Sequence, residues 1–238
     1  MTLDEKQFLD AVGNRRCGDA ASGICEACVA VLGVQAAVIS LVHDGSNVAT
    51  LGVSSLLAQT YDEIEFTIGE GPARDAVARG APVVVIDLAD PDEVCWPLYR
   101  PAMLSQRIRG IVAMPVMMSG HCVGALTLFQ NAPQRLNGDL LSGSLLAADL
   151  AQLPLLDLYD ELNRCTATDP NSTDWNEQEH QFLTRREVDQ ATGMVMAQLD
   201  VGPDEALVRL RAHAYATDTS ATQTARAIIG RQLRFNQS

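Results

Sequence analysis

RREVDQATGMVMAQL, residues 185–199, opens the stretch of this chain that decides its fold. The stretch continues with PDEALVRLRAHAYA at 203–216 and SATQTARAIIGRQL at 220–233. In each part apolar residues recur every three or four positions, which predicts three amphipathic helices. Pro203 and a capping box formed by Ser220 and Gln223 mark where the second and third helices begin. Three short helices bury little surface, so we expect them to pack on another domain or on a second chain.

Gly193 stands in the middle of the first predicted helix. Glycine at such a position costs about 1 kcal/mol relative to alanine. Two explanations are open: close packing against a neighbouring helix, or close approach of a ligand to the helix backbone. Both predict that a bulky side chain at this position would damage folding or binding.

Several separated motifs in this stretch resemble the ANTAR domain, a three-helix module that binds RNA and acts in transcription antitermination. They agree with that family in order and spacing, and they span nearly the whole stretch. The matching residues are Gln190-Ala191-Thr192-Gly193-Met194-Val195-Met196, Glu205-Ala206-Leu207, Leu210-Arg211-Ala212-His213-Ala214, Ala225 and Arg231-Gln232-Leu233-Arg234-Phe235. The resemblance implies a C-terminal RNA-binding module.

RNA contacts are expected on small, polar and basic residues of these helices. Glycine, alanine and hydroxyl groups let the splayed bases of an RNA hairpin come close, and arginines beside them hold phosphates. The chain departs from the family at Thr192, where lysine is common, and at Thr219, where arginine is common, so we expect modest affinity. The predicted RNA-binding residues are Gln190, Ala191, Thr192, Gly193, Arg211, Ala225 and Arg226.

Charge is distributed unevenly along the 238 residues, whose formal net charge is −13. Residues 1–176 hold 10 Lys and Arg against 22 Asp and Glu, whereas residues 205–238 hold five Arg against two acids. The C-terminal helices are therefore the basic part of an acidic protein, which suits a nucleic-acid contact. A solvated helix face with scattered arginines would give the same counts.

Six cysteines are present, and two of them, Cys25 and Cys28, form a C-x-x-C motif inside an apolar helical stretch. There is no second such motif, so buried reduced thiols are favoured over a metal site. No cofactor or metal is predicted. No apolar run reaches the length of a membrane span and the first residues lack a signal-peptide pattern, so we expect a cytoplasmic protein.

The part of the chain before the three helices predicts a sheet covered by helices. Hairpins are expected at 36–53 and 110–129, a short helix at 54–60 and an extended segment at 63–66. A long helix opened by Asn137 is expected to kink or break at Pro154. This order predicts an α+β fold with an antiparallel sheet and packed helices.

Residues 8–162 also resemble a GAF domain, a fold associated with small-molecule pockets. The motifs that carry this resemblance are Gly69-Glu70-Gly71-Pro72, Trp96-Pro97, residues 110–115 and Gly124-Ala125-Leu126-Thr127-Leu128. The resemblance implies a ligand pocket, with Glu70, Trp96 and Tyr99 as rim residues and with the ligand unknown.

The Gly-Glu-Gly-Pro turn has two interpretations. It could hold an anion at a helix N-terminus, or it could be a structural turn with Pro72 at the first helical position. The negative charge of Glu70 favours the structural turn. Ala73 stands where relatives often carry cysteine, which weakens any argument for thiol-based sensing at this turn.

We expect three parts in the chain: a GAF-like sensor domain at 1–165, a polar linker at 166–176 and an ANTAR-like domain at 177–238. A helix is expected to start near Trp175 and to run on into the ANTAR-like module. Trp175, Phe182 and Leu183 are large apolar residues at the module's entry. They are expected to pack on the sensor or on a partner chain, and we predict a homodimer.

The two resemblances together imply a non-enzymatic regulator of a type seen in actinobacteria. The sensor would receive a small molecule or an upstream signalling protein, and the module would bind RNA stem-loops and alter transcription antitermination. Alternatives are a ligand-sensing protein that acts through protein contacts, a DNA-binding protein, and a GAF-type methionine sulfoxide reductase that uses Cys95 and Cys122. Asp92 and Glu93 would raise the pKa of Cys95, which disfavours the reductase.

Overall fold

The structure, a computed structural model, describes residue 8 and residues 17–43, 46–133, 135, 137–156 and 183–236. The predicted linker at 166–176, Trp175 and Phe182 lie outside these residues. In chain order the described elements are α1 (Cys17–Leu32), β1 (Ala36–His43), β2 (Ser46–Val53), α2 (Leu56–Ile68), α3 (Pro72–Arg79), β3 (Val83–Val85), α4 (Tyr99–Ser105), β4 (Gly110–Met118), β5 (His121–Gln130), α5 (Gly138–Leu150), β6 (Leu183–Thr184), α6 (Arg186–Leu199), α7 (Pro203–Ala216) and α8 (Ala221–Ile229).

The first domain is built on a six-stranded antiparallel sheet with the strand order β3-β4-β5-β1-β2-β6. The two predicted hairpins are present, and they join where β1 pairs with β5. At this seam a Cβ on Gly124 would lie 2.3 Å from the carbonyl oxygen of Ser40, so only glycine fits. The predicted α+β fold, an antiparallel sheet with packed helices followed by three C-terminal helices, is confirmed.

Helices cover both faces of the sheet because neighbouring side chains of a strand point to opposite sides. Ala37 and Ile39 of β1 pack with α1 and α5, whereas Val38 packs with α2, α3 and α4. Cys25 and Cys28 are free thiols buried on the α1 side, as predicted. Burial raises the pKa of Cys28 to about 12, so this thiol is unreactive.

Helix α2 is one continuous helix, so the prediction of an extended segment at 63–66 is wrong. It begins after Ser55, whose Oγ accepts a hydrogen bond from the Ala58 N–H at 3.2 Å. The segment alternates apolar and charged residues like a strand. In the helix, Glu65 and Phe66 of this segment are buried, and so are the preceding Tyr61 and Asp62. Tertiary partners for these acids therefore override the local pattern.

Helix α5 begins at the predicted cap Asn137, whose side chain accepts from the Leu140 N–H at 2.8 Å. It ends at Leu150, and residues 152–156 are helical again after a turn at Ala151. The helix is therefore broken before Pro154, which cannot donate a hydrogen bond to the Leu150 carbonyl. The stretch Gly138–Leu156 is long and apolar enough by composition to span a membrane. Within it Ala147 and Ala151 are fully buried under the sheet, as in the core helix of a globular domain.

Strand β6 stands at Leu183–Thr184, where the sequence predicted a helix running on into the C-terminal module. The earlier part of that predicted helix lies outside the described residues. Thr184 pairs with Ala49 and Leu183 pairs with Thr50, so β6 continues the sheet beyond β2. Without it, β2 would be an edge strand with unpaired backbone groups. The chain therefore joins the sheet of the first domain immediately before helix α6 begins.

Helices α6, α7 and α8 form the predicted three-helix module. Both hydrogen bonds of the capping box at Ser220 and Gln223 are made, each at 3.0 Å. Phe66 of α2 packs into the module's core, so the small unit gains surface from the first domain, as expected. The core residues of the module are Val188, Ala191, Val195, Ala206, Leu210, Ala214, Ala221, Ala225 and Ile228.

Candidate functional site

Arg185 links the sheet domain to the helical module through two acidic residues and an aromatic ring. Its Nη2 lies 2.9 Å from Oδ2 of Asp62, its Nη1 pairs with Glu63, and 8% of the residue is exposed. The guanidinium carbon lies 3.6 Å from the centroid of the Phe66 ring. A buried ion pair with this many partners is costly to break, because it would leave an uncompensated buried charge.

Asp62 is anchored from the sheet as well as from Arg185. Ser40 Oγ on β1 and Thr50 Oγ1 on β2 each donate a hydrogen bond to its carboxylate at 2.5 Å. The carboxylate therefore connects two strands, helix α2 and the first residue before α6. Sequence analysis missed this group because the segment around Asp62 was predicted to change from helix to extended chain.

The N-terminus of helix α8 is also held by α2. The Ala221 N–H donates to Thr67 Oγ1 at 2.9 Å, and the Thr222 N–H donates to Glu63 Oε1 at 3.0 Å. These are backbone donors that a helix leaves unpaired at its start, where the helix dipole favours negative charge. The Glu63 carboxylate thus bridges the α8 N-terminus and the Arg185 guanidinium.

Arg211, a predicted RNA-binding residue, faces the first domain. Its guanidinium carbon lies 4.4 Å from the centroid of the Phe66 ring. Burial, together with the nearby charges of Arg74 and Arg185, lowers the pKa of Arg211 to about 10. Its Nε is buried without a hydrogen-bond partner among the described residues. The side chain remains charged at neutral pH and is partly exposed, with its guanidinium group turned toward the first domain.

Three other predicted RNA-binding residues are exposed on the module and form what we call its outer face: Gln190 and Gly193 on α6 and Arg226 on α8. Gln190 and Gly193 are exposed one turn apart, and no atom lies within 4 Å of a Cβ built on Gly193. Close helix packing therefore does not explain this glycine. Thr192 is partly exposed, and its hydroxyl donates to the Val188 carbonyl at 2.7 Å.

Arg226 extends this outer face from α8. Its Nε lies 2.9 and 3.0 Å from the carboxylate oxygens of Glu187, and both side chains are largely exposed. Arg226 also lines a groove of about 890 Å³ between α2 and the module, together with Glu63 and Tyr215. Because an exposed ion pair contributes little to stability, a phosphate could replace Glu187 as the partner of this arginine.

Ala191 and Ala225 require a correction as direct contact residues. Both are fully buried in the core of the three-helix module. Their small size lets α6 and α8 pack closely, so they stabilise the module and do not contact RNA directly. Residues three or four positions apart share one face of a helix. Ala191 therefore shares the buried face of Val188 and Val195, whereas Gln190 and Gly193 lie on the exposed face.

Glu70, Trp96 and Tyr99, the predicted pocket rim, do come together in the structure. Oε1 of Glu70 accepts from the N–H groups of Leu98 and Tyr99 at 2.7 and 3.1 Å, and so holds the start of α4. The Trp96 and Tyr99 rings meet edge to face at 6.1 Å. Tyr99 is fully buried and Trp96 is nearly so. The three residues therefore pack against one another and do not line the rim of an open pocket.

Glu65 fills the helix N-terminus that the Gly-Glu-Gly-Pro turn creates. Its Oε1 accepts from the N–H groups of Ala73 and Arg74 at 3.0 and 3.2 Å. A Cβ on Gly71 would lie 2.5 Å from Cδ of Glu65, which explains the glycine. Burial raises the pKa of Glu65 to about 8, with a smaller contribution from Asp62. The cradle at this turn therefore holds a carboxyl group of the chain itself.

The two cysteines of the reductase alternative do not have the character of reactive thiols. A hydrogen bond with Glu93, followed by slight burial, raises the pKa of the exposed Cys95. Burial also raises the pKa of Cys122. Since the thiolate is the reactive form, both shifts oppose attack on a sulfoxide.

Two family models match the chain. A model of the GAF domain matches residues 18–153, and a model of the ANTAR domain matches residues 178–229. The chain belongs to the GAF domain family, since that match covers more than half of it. With the ANTAR domain that follows, it is a member of the GAF-ANTAR family, and these two domains point to a regulatory protein. No curated protein matches the chain.

Solved structures are similar to the first domain at low sequence identity. The GAF domain of a phosphoenolpyruvate-protein phosphotransferase from Coxiella burnetii is 15% identical, with a TM-score of 0.51, over 67% of this chain and 99% of that one. The GAF domain of the corresponding Acinetobacter protein is 14% identical, with a TM-score of 0.46, over 67% and 94%. A free methionine-R-sulfoxide reductase from Neisseria meningitidis is 17% identical, with a TM-score of 0.43, over 67% and 89%. The Coxiella comparison shows the GAF fold alone.

Proposed function

We propose that this protein is an RNA-binding regulator of transcription antitermination that acts in the cytoplasm. Residues 1–165 form its sensor domain, residues 166–176 its linker and residues 177–238 its RNA-binding domain. The observation that carries the proposal is the outer face of the ANTAR domain, where Gln190 and Gly193 leave the α6 surface open. Arg226 of α8 pairs with Glu187, one turn before Gln190 on α6. A base of a hairpin loop can approach such a surface closely.

The outer face combines the two kinds of contact that RNA recognition needs. The Gln190 amide offers donors and an acceptor for a base edge. The Thr192 hydroxyl lies further around α6, on the other side of Gly193 from Gln190. Arg226 supplies a guanidinium for a phosphate, which positions the RNA without reading its sequence. The proposed site therefore separates specificity on α6 from affinity on α8.

The proposal is tested by binding of a stem-loop RNA pool with randomised loops across a salt series. Arg226→Ala is expected to weaken binding of all loops alike and to flatten the salt dependence. Gln190→Ala and Thr192→Ala are expected to change which loops are enriched. If all three variants bind as the parent does at every salt concentration, the outer face is not the RNA site.

We propose that the GAF domain receives the signal and also supports a homodimer. A ligand entering beside Trp96 and Tyr99 would have to move α4, whose first N–H groups are held by Glu70. Such a movement would reach α2, the helix that holds the ANTAR domain. The dimer would use the outer side of α5, where Leu141 and Leu145 are 37% and 48% exposed.

A second candidate function is a regulator that acts through protein contacts. Two observations favour it: Arg211 is covered by the first domain, and Thr219 stands where an arginine is common in the family. In that case the parent protein would bind no RNA hairpin under any of the conditions above.

A further inference from the structure

Three anion-binding groups of the ANTAR domain converge on one turn of GAF helix α2. The Arg185 guanidinium pairs with Asp62 and Glu63, and the α8 N-terminus donates to Glu63 through Thr222. Arg211 lies over the Phe66 ring of the same helix. These groups come from three separate parts of the module: the residue before α6, helix α7 and the start of α8.

The chemistry of this cluster is that of a phosphate site. A guanidinium forms charge-assisted bonds to phosphate as it does to carboxylate, and a helix N-terminus holds phosphate through its unpaired N–H groups. One oxygen of Glu63 accepts from the Thr222 N–H and the other pairs with Arg185. A backbone phosphate of RNA presents the same pair of oxygens to the same donors.

The cluster retains unused capacity for an anion. Arg74, Arg185 and Arg211 lie around it, and the Nη1 atoms of Arg74 and Arg211 are both 3.5 Å from a Cβ built on Gly69. Nε of Arg185 and Nε of Arg211 are buried without a hydrogen-bond partner among the described residues. Three guanidinium groups thus face the carboxyl groups of Asp62 and Glu63, beside Glu65, whose pKa is raised to about 8 by burial.

We propose that Arg185, Arg211 and the N-terminus of α8 form a binding site for RNA backbone phosphates, which Asp62 and Glu63 occupy as an internal mimic when the two domains are docked. The inference rests on the proposed function, because it assumes that the ANTAR domain binds RNA. Docking and full RNA contact then exclude each other. A signal that moves α2 would expose this phosphate site beside the outer face.

The test measures affinity of the full chain for the stem-loop pool by fluorescence anisotropy. Glu63→Gln keeps an acceptor for the Thr222 N–H but removes the charge that holds Arg185, so binding is expected to tighten about 5-fold or more, the lower end of usual coupling between sites. Asp92→Asn, which removes one charge from an exposed residue of the same domain, is the matched control and should leave affinity near that of the parent. Adding Arg185→Ala to Glu63→Gln should reverse the gain.

A second variant avoids any change of charge. Phe66→Leu removes the ring under both guanidinium groups, and it is also expected to tighten RNA binding. Circular dichroism checks that each variant remains folded. If the parent binds hairpins and both Glu63→Gln and Phe66→Leu bind with the parent's affinity, the internal mimic is overturned while the proposed function stands. If neither the parent nor these variants bind any hairpin, the proposed function itself fails.

Discussion

At the scale of single residues, Glu65 shows how a buried acid couples folding to pH. Its pKa rises to about 8 because the carboxyl group is buried. The folded state therefore keeps a proton that the unfolded state releases above its ordinary pKa. It follows that the free energy of unfolding falls as pH rises between about 4.5 and 8, by at most about 1.4 kcal/mol per pH unit from this group.

Glu65→Gln tests this coupling without removing the acceptor for Ala73 and Arg74. The variant cannot ionise, so its stability is expected to change less with pH, and its stability relative to the parent should increase as pH rises. Urea unfolding at several pH values between about 5 and 8 measures the difference. Parallel stability curves for the two proteins would contradict the raised pKa.

Gly193 belongs to the same scale because its surroundings are empty. Gly193→Ala is expected to stabilise the ANTAR domain by about 1 kcal/mol, since alanine loses less backbone entropy in a helix. Thermal unfolding provides the measurement, and RNA affinity is compared in parallel. A loss of stability would restore close packing as the explanation of this glycine, whereas weaker RNA binding with higher stability would support close approach of the ligand.

At the scale of elements, close packing of α6 and α8 depends on small residues. Ala191→Leu is expected to destabilise the module by about 1–3 kcal/mol through overpacking of its core. Ala197→Leu, on the exposed side of the same helix, is the control and should change stability by less than about 0.5 kcal/mol. Equal effects of the two substitutions would mean that Ala191 does not face the core.

The elements also show what sequence could predict. The three C-terminal helices were predictable because Pro203 and the capping box at Ser220 act locally, and the hairpins because their strands are neighbours in the chain. Helix α2 and strand β6 were not predictable in the same way. Their structure depends on Arg185, 123 positions from Asp62, and on pairing with the edge of β2. The inward direction of Ala191 follows from its spacing to Val188 and Val195 on the apolar face of its helix. The direction of Arg211 was not predictable, because it depends on the distant Phe66 ring of α2.

At the scale of the whole molecule, Phe66 meets part of the module's need for a packing partner within one chain. The proposed homodimer therefore rests on the exposed leucines of α5, not on the module's small size. Leu145→Glu is expected to convert a dimer into a monomer of 25.6 kDa, because it places a charge in the apolar contact. Light scattering of parent and variant at micromolar concentration measures this. A monomeric parent would contradict the dimer.

The whole molecule joins its GAF domain to its ANTAR domain through α2, β6 and Arg185. RNA binding is the claim on which the rest of the account depends. The most direct measurement is competition for a bound, labelled stem-loop by unlabelled stem-loop, unstructured RNA of the same composition and duplex DNA. We expect the stem-loop to compete most strongly, because unpaired loop bases are the readable part of RNA. Equal or stronger competition by duplex DNA, or no binding of any stem-loop, would contradict the account.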